Sequence, residues 1–124
     1  MVNAALLLLA LAVAAGLGLA ALAMRSQDQG PRRLPLAGLA HGSLGLAGFA
    51  VLLLALQGPP RGLRTGTASF GLIAAVLFGL AIVLGLAIPF VYRATRRTPA
   101  TLLAVHGGAA IAGFTILLAW VGLD

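Results

Sequence analysis

The sequence predicts an all-α integral membrane fold, a four-transmembrane-helix up-down-up-down bundle forming one domain over 1–124, and three observations carry that prediction. First, 61% of the 124 residues are hydrophobic and 8% are charged, against about 25% charged in an average soluble domain. Mean hydropathy is +1.12. Second, the apolar residues gather in four runs that hold no charged side chain. Third, the connections between those runs are short. A soluble enzyme is excluded, because the chain lacks the polar groups to cover a water-facing surface.

The four runs span about 2–24, 34–56, 68–91 and 99–123. Each is about 22 to 25 residues long, and a helix needs about 20 to cross the hydrocarbon core. In the first run Ala21-Leu22-Ala23 resembles a signal-peptide cleavage site. No positive charge precedes the stretch, however, and it exceeds a usual signal h-region, so a retained helix is expected. Pro35 and Pro99 fall in the opening turns of the second and fourth helices, where a missing N–H costs nothing. Connections this short make neighbouring helices antiparallel.

Charge orients the bundle. Arg25, Arg32 and Arg33 lie in the first connection, Arg93, Arg96 and Arg97 in the third, and only Arg61 and Arg64 in the second. The arginine excess places connections one and three in the cytoplasm and both termini outside, in what reads as a bacterial inner membrane. Tyr92 and Trp120 suit the interfacial aromatic belts. A net charge of +6 and a pI near 12.0 do not indicate nucleic acid, because the arginines are divided among three gaps rather than gathered on one face. The chain has no cysteine, which removes disulfides, thiolate metal sites, iron–sulfur clusters and thioether-linked haem.

A repeat carries the chemistry. Helix two contains Ala40-His41-Gly42-Ser43-Leu44-Gly45-Leu46-Ala47-Gly48-Phe49, and helix four contains Val105-His106-Gly107-Gly108-Ala109-Ala110-Ile111-Ala112-Gly113-Phe114. The chain's two histidines thus occupy equivalent places, 65 positions apart. No convincing match links the odd-numbered helices, so duplication of a whole hairpin is not established at this level. Positions i, i+4 and i+7 share a helix face, which sets Gly45 and Gly48 below His41, and Ala110 and Gly113 below His106. At about 1.5 Å per residue both histidines lie about 10 Å inside the cytoplasmic ends of their helices.

Small-residue stripes commonly serve helix packing, and Ser43 or Thr115 offers a local hydrogen-bond partner for a lone histidine. Ionisable residues within membrane spans are nevertheless functional candidates, and two at matched depth point to a shared ligand. Zinc or copper wants further ligands, and the helices hold no Cys, Asp or Glu. Iron already held by four porphyrin nitrogens needs two axial ligands, which His41 and His106 supply. Gly45, Gly48, Ala110 and Gly113 then leave room for a macrocycle. Phe49 and Phe114 stack on its edge or fill the core. Arg32, Arg33, Arg96 and Arg97 are candidates to pair with the propionates.

These residues resemble small membrane b-type cytochromes of the cytochrome b561-like kind, bundles in which histidines on facing helices clamp haem b. The resemblance rests on helices two and four. That family has two histidine pairs and two haems, whereas this chain has one pair, so it implies one bis-His haem b. The expected function is electron transfer rather than catalysis, as a subunit or partner of a larger membrane redox complex in contact with membrane lipids. No soluble small-molecule substrate is indicated. The alternative is a non-catalytic structural or accessory subunit, with or without a chlorophyll-type pigment, in which the Gly/His repeats serve packing. A transporter is disfavoured, because the spans hold no carboxylate.

Overall fold

The computed structural model describes residues 1–25, 34–95 and 98–123. Among them all regular structure is helical: α1 Val2–Arg25, α2 Leu34–Leu56, α3 Phe70–Thr95 and α4 Ala100–Gly122. Each helix is long and apolar enough to cross a membrane. The exterior carries the sequence's apolar residues outward, as at Leu7, Leu72, Val76 and Val83, which suits lipid and not water. The chain is an integral membrane protein.

Helix ends depart from expectation where local hydrogen bonds decide them. α3 begins at Phe70 and not at 68, because the preceding connection keeps its own turn: Thr67 N donates to Gly62 O at 2.9 Å and Phe70 N to Thr67 O at 3.0 Å. Gly62 has φ +73°, and a side chain there would strike Thr67. At its other end α3 runs on past 91 to Thr95. Arg93, expected in a loop, therefore lies in the last helical turn, where a cation suits the helix dipole. Pro99 precedes α4 as its N-cap, its carbonyl accepting from Leu102 N and Leu103 N. Pro89 lies inside α3 and lacks the N–H that would have bonded the Gly85 carbonyl.

α1 packs chiefly on α2, and α3 on α4, with thinner seams between α1 and α4 and between α2 and α3. Contacts within each close pair run in opposite sequence order. Gly16 meets His41 while Gly48 meets Leu9; Gly85 meets His106 while Gly71 meets Trp120. The core comprises Ala5, Leu9, Leu52, Ala74, Phe78, Leu117 and Trp120, all towards the end that carries the 57–69 connection. Among the described residues, packing is thinner on the other side of the histidines. There Leu22, Leu36, Leu86 and Phe90 are exposed, and a side chain added at Gly18 or Gly38 would meet nothing within 4 Å.

Candidate functional site: a histidine pair between the hairpins

Each histidine is held by the helix that its own helix packs against. His41 Nδ1 lies 2.9 Å from the Ala12 carbonyl oxygen of α1, and His106 Nδ1 lies 2.7 Å from that of Ala81 in α3. A carbonyl only accepts, so each Nδ1 carries the proton and donates it. In a neutral imidazole that leaves Nε2 as a lone pair. Neither Nε2 has a hydrogen-bond partner among the described residues. Ser43 and Thr115 do not reach the rings; their hydroxyls bond the carbonyls of Ala40 and Ile111 within their own helices.

One turn beyond each acceptor carbonyl stands a glycine, for a steric reason. A Cβ on Gly16 would lie 2.9 Å from His41 Cε1, and one on Gly85 would lie 2.9 Å from His106 Cε1. The imidazole therefore occupies the space where a side chain would be. The odd-numbered helices do repeat: Leu11-Ala12-Val13-x-x-Gly16-Leu17 matches Leu80-Ala81-Ile82-x-x-Gly85-Leu86 at a spacing of 69. The sequence reading missed this because the spacing differs from the 65 of the histidine helices, by one helical turn of extra chain. Ala12, Gly16, Ala81 and Gly85 are thus part of the site, and the pattern was available to find them.

The two rings meet across the diagonal between α2 and α4, their centroids 6.0 Å apart and their planes at 82°. No cluster of three or more His, Cys, Asp or Glu occurs among the described residues. This donor set suits a metal that brings its own equatorial ligands. Protonated Nδ1 atoms anchored on backbone carbonyls are the usual support of metal-binding histidines.

The small residues below the histidines do not form an open slot. A Cβ on Gly48 would lie 2.8 Å from Leu9 Cγ, one on Gly113 3.2 Å from Leu77 Cβ, and one on Gly45 4.0 Å from Ala12 Cβ. Gly45, Gly48 and Gly113 thus let α1 and α3 approach. Ala110 is half-buried beside the buried Ala109. Phe49 and Phe114 pack on the core, Phe49 reaching Gly79 of α3. Space adjoins His41 on its other side, in a cleft of about 340 Å³ lined by Ala15, Gly18, Leu22, Ala37, Ala40 and Leu44 among others.

Tyr92 is 40% exposed, as an interfacial residue would be, but Trp120 is 3% exposed. Its indole is covered by Gly71 and Arg61, so it belongs to the protein interior and not to a lipid-facing belt. Arg32, Arg33, Arg96 and Arg97 lie outside the described residues. Comparison of the chain with protein-family models, with curated proteins and with solved structures finds no match.

Proposed function

We propose that the chain is a membrane-embedded b-type electron-transfer protein in which His41 Nε2 and His106 Nε2 would hold the iron of one haem. The observation that carries this reading is the matched anchoring of both rings. Each Nδ1–H is tied to a backbone carbonyl, each Nε2 has no partner among the described residues, and the centroids stand 6.0 Å apart. When bound, the haem iron would supply reversible one-electron chemistry; with both axial sites filled by protein, electron transfer is favoured over oxygen activation. The cleft beside His41, between Ala15, Gly18, Ala37 and Ala40, would give the macrocycle room. Arg32, Arg33, Arg96 and Arg97 would hold its propionates there.

In this reading the helices form an up-down-up-down bundle in a bacterial inner membrane. The connections at 26–33 and 96–98 face the cytoplasm and both termini face outward, following the arginine excess. A haem near one face cannot by itself carry electrons across the bilayer, so a larger redox complex is the expected partner.

A second reading draws on a different observation. The histidine–carbonyl bonds also clamp α1 to α2 and α3 to α4, and the glycine stripes are filled by Leu9 and Leu77. A structural or accessory subunit would need no more than that. Reduced-minus-oxidised visible spectra of the detergent-solubilised protein, with pyridine extraction of the tetrapyrrole, separate the two. The cytochrome shows a b-type α-band that disappears in His41→Ala and in His106→Ala while helical circular dichroism persists. A protein that stays colourless when supplied with haem is the accessory subunit.

A further inference from the structure

The two hairpins differ in the bulk they set beside their histidines. Ala15, Gly18, Ala37 and Ala40 line the cleft beside His41. The corresponding positions in the second hairpin hold Leu84, Ala87, Leu102 and Val105, which leave less room. The second hairpin differs in its backbone as well. Pro89 lies inside α3, where α1 has Ala20 at the spacing of 69. An alanine supplies the N–H that a helix directs to the carbonyl four residues back. Pro89 supplies none to Gly85, and a proline ring collides with that carbonyl. The helix relieves the collision by kinking. The ring acts as a wedge, so the axis bends away from the side that the ring occupies.

That side is the bundle interior. Ala81, Gly85 and Pro89 follow one another four residues apart along one stripe of α3. The stripe faces His106: the Ala81 carbonyl accepts from His106 Nδ1 at 2.7 Å, and a Cβ on Gly85 would lie 2.9 Å from His106 Cε1. Pro89 is the next step, one turn beyond the ring. We infer that Pro89 is a positioning residue for the ligand of the histidine pair. It turns the last part of α3 outward, and so makes on the second hairpin's side the room that small side chains make on the first. That the occupant is a haem rests on the function proposed above; the bend does not.

The chain has no cysteine, so spin labels can be placed on chosen pairs of introduced cysteines. Leu39 of α2 and Phe90 of α3 are both exposed and report the separation of the hairpins beyond the histidines. Leu54 and Val76, exposed towards the other end of the same two helices, are the control pair. Pro89→Ala gives α3 the residue found in α1. The label distance between positions 39 and 90 should shorten, and the control distance should stay as it is. The melting midpoint should rise, because proline is the poorest helix former. Haem titrated into the apoprotein should nevertheless bind about tenfold more weakly. Opposite changes in stability and affinity separate loss of room from loss of fold. An unchanged label distance overturns the inference, and so does native haem affinity in a variant whose distance has shortened. A native protein that takes up no haem is a failure of the haem reading, seen before any variant is made, and it overturns the ligand role of Pro89 as well.

Discussion

The α1–α2 hairpin and the α3–α4 hairpin are two versions of one unit. Ala5, Leu9, Ala12 and Gly16 correspond to Ala74, Phe78, Ala81 and Gly85 at a spacing of 69, and His41, Gly48 and Leu52 to His106, Gly113 and Leu117 at 65. The corresponding residues share their environments. Ala5 and Ala74 are buried, as are Leu52 and Leu117, and both histidines bond the carbonyl one turn before a glycine. The hairpins diverge at the periphery. Ala15, Gly18, Ala37 and Ala40, which open the cleft beside His41, correspond to Leu84, Ala87, Leu102 and Val105. Trp120 on Gly71 corresponds to Ala55 and Val2. The common part is what an anchored imidazole needs, and the divergent part makes one cleft in the first hairpin and one buried indole in the second.

The comparison breaks most directly at the glycines under the rings. Gly16→Val and Gly85→Val each place a Cβ where an imidazole carbon now sits. Overpacking of about 1–3 kcal/mol adds to the loss of a histidine–carbonyl bond, worth about 0.5–1.5 kcal/mol. Both variants should lower the detergent melting midpoint by similar amounts, and in a cytochrome both should shift or abolish the α-band. If one variant melts like the native protein while the other collapses, the hairpins are not functional equivalents.

Gly71→Ala tests the seat of Trp120, which has no counterpart in the first hairpin. The new methyl would stand 2.7 Å from Leu56 Cδ2 and 2.8 Å from Trp120 Cε2, so the indole must move. Destabilisation of about 1–2 kcal/mol is expected, with Trp120 emission shifted to the red as the ring gains solvent. Gly18→Ala, where a Cβ meets nothing within 4 Å, is the control: it should leave the emission unchanged and the melting midpoint level or slightly raised, because alanine is the better helix former. An unshifted emission in Gly71→Ala would place the indole elsewhere.

How far the sequence could be read follows the nature of each signal. Four spans were legible because twenty-odd uncharged apolar residues have one structural solution in a bilayer. The histidine repeat was legible because ionisable side chains stand out against leucine. Two things were hidden. The partners of the histidines are backbone carbonyls, which every residue has, so Ala12 and Ala81 carry no side-chain signal and only the Leu-Ala-x-x-x-Gly-Leu spacing gives them away. The role of the glycines depends on which helix faces them. Gly45 and Gly48 on one helix read as a slot for a ligand or a seat for a neighbour, and in the structure Ala12 lies against the first and Leu9 against the second. Trp120 misled for a related reason: an aromatic near a helix end suits the interface by position, whereas Gly71 and Arg61 draw it inward.

The smallest expected effect makes the first hairpin more like the second. Ala15→Leu and Ala37→Leu install the side chains found at Leu84 and Leu102, in a cleft that has room for them. Filling apolar space usually stabilises, here by about 0.5–1 kcal/mol per site, so the melting midpoint should rise slightly. The histidine–carbonyl bonds should persist, because His106 keeps its bond to the Ala81 carbonyl in the hairpin that carries Leu84 and Leu102. If the midpoint rises and the visible spectrum of a haem-loaded protein is unchanged, the cleft is slack left over from sequence divergence between the hairpins. A rise in midpoint accompanied by loss of haem uptake would mean that the small residues of α1 and α2 keep open the side from which the macrocycle reaches His41. The asymmetry between the hairpins would then be the entrance to a site whose two ligands are otherwise matched.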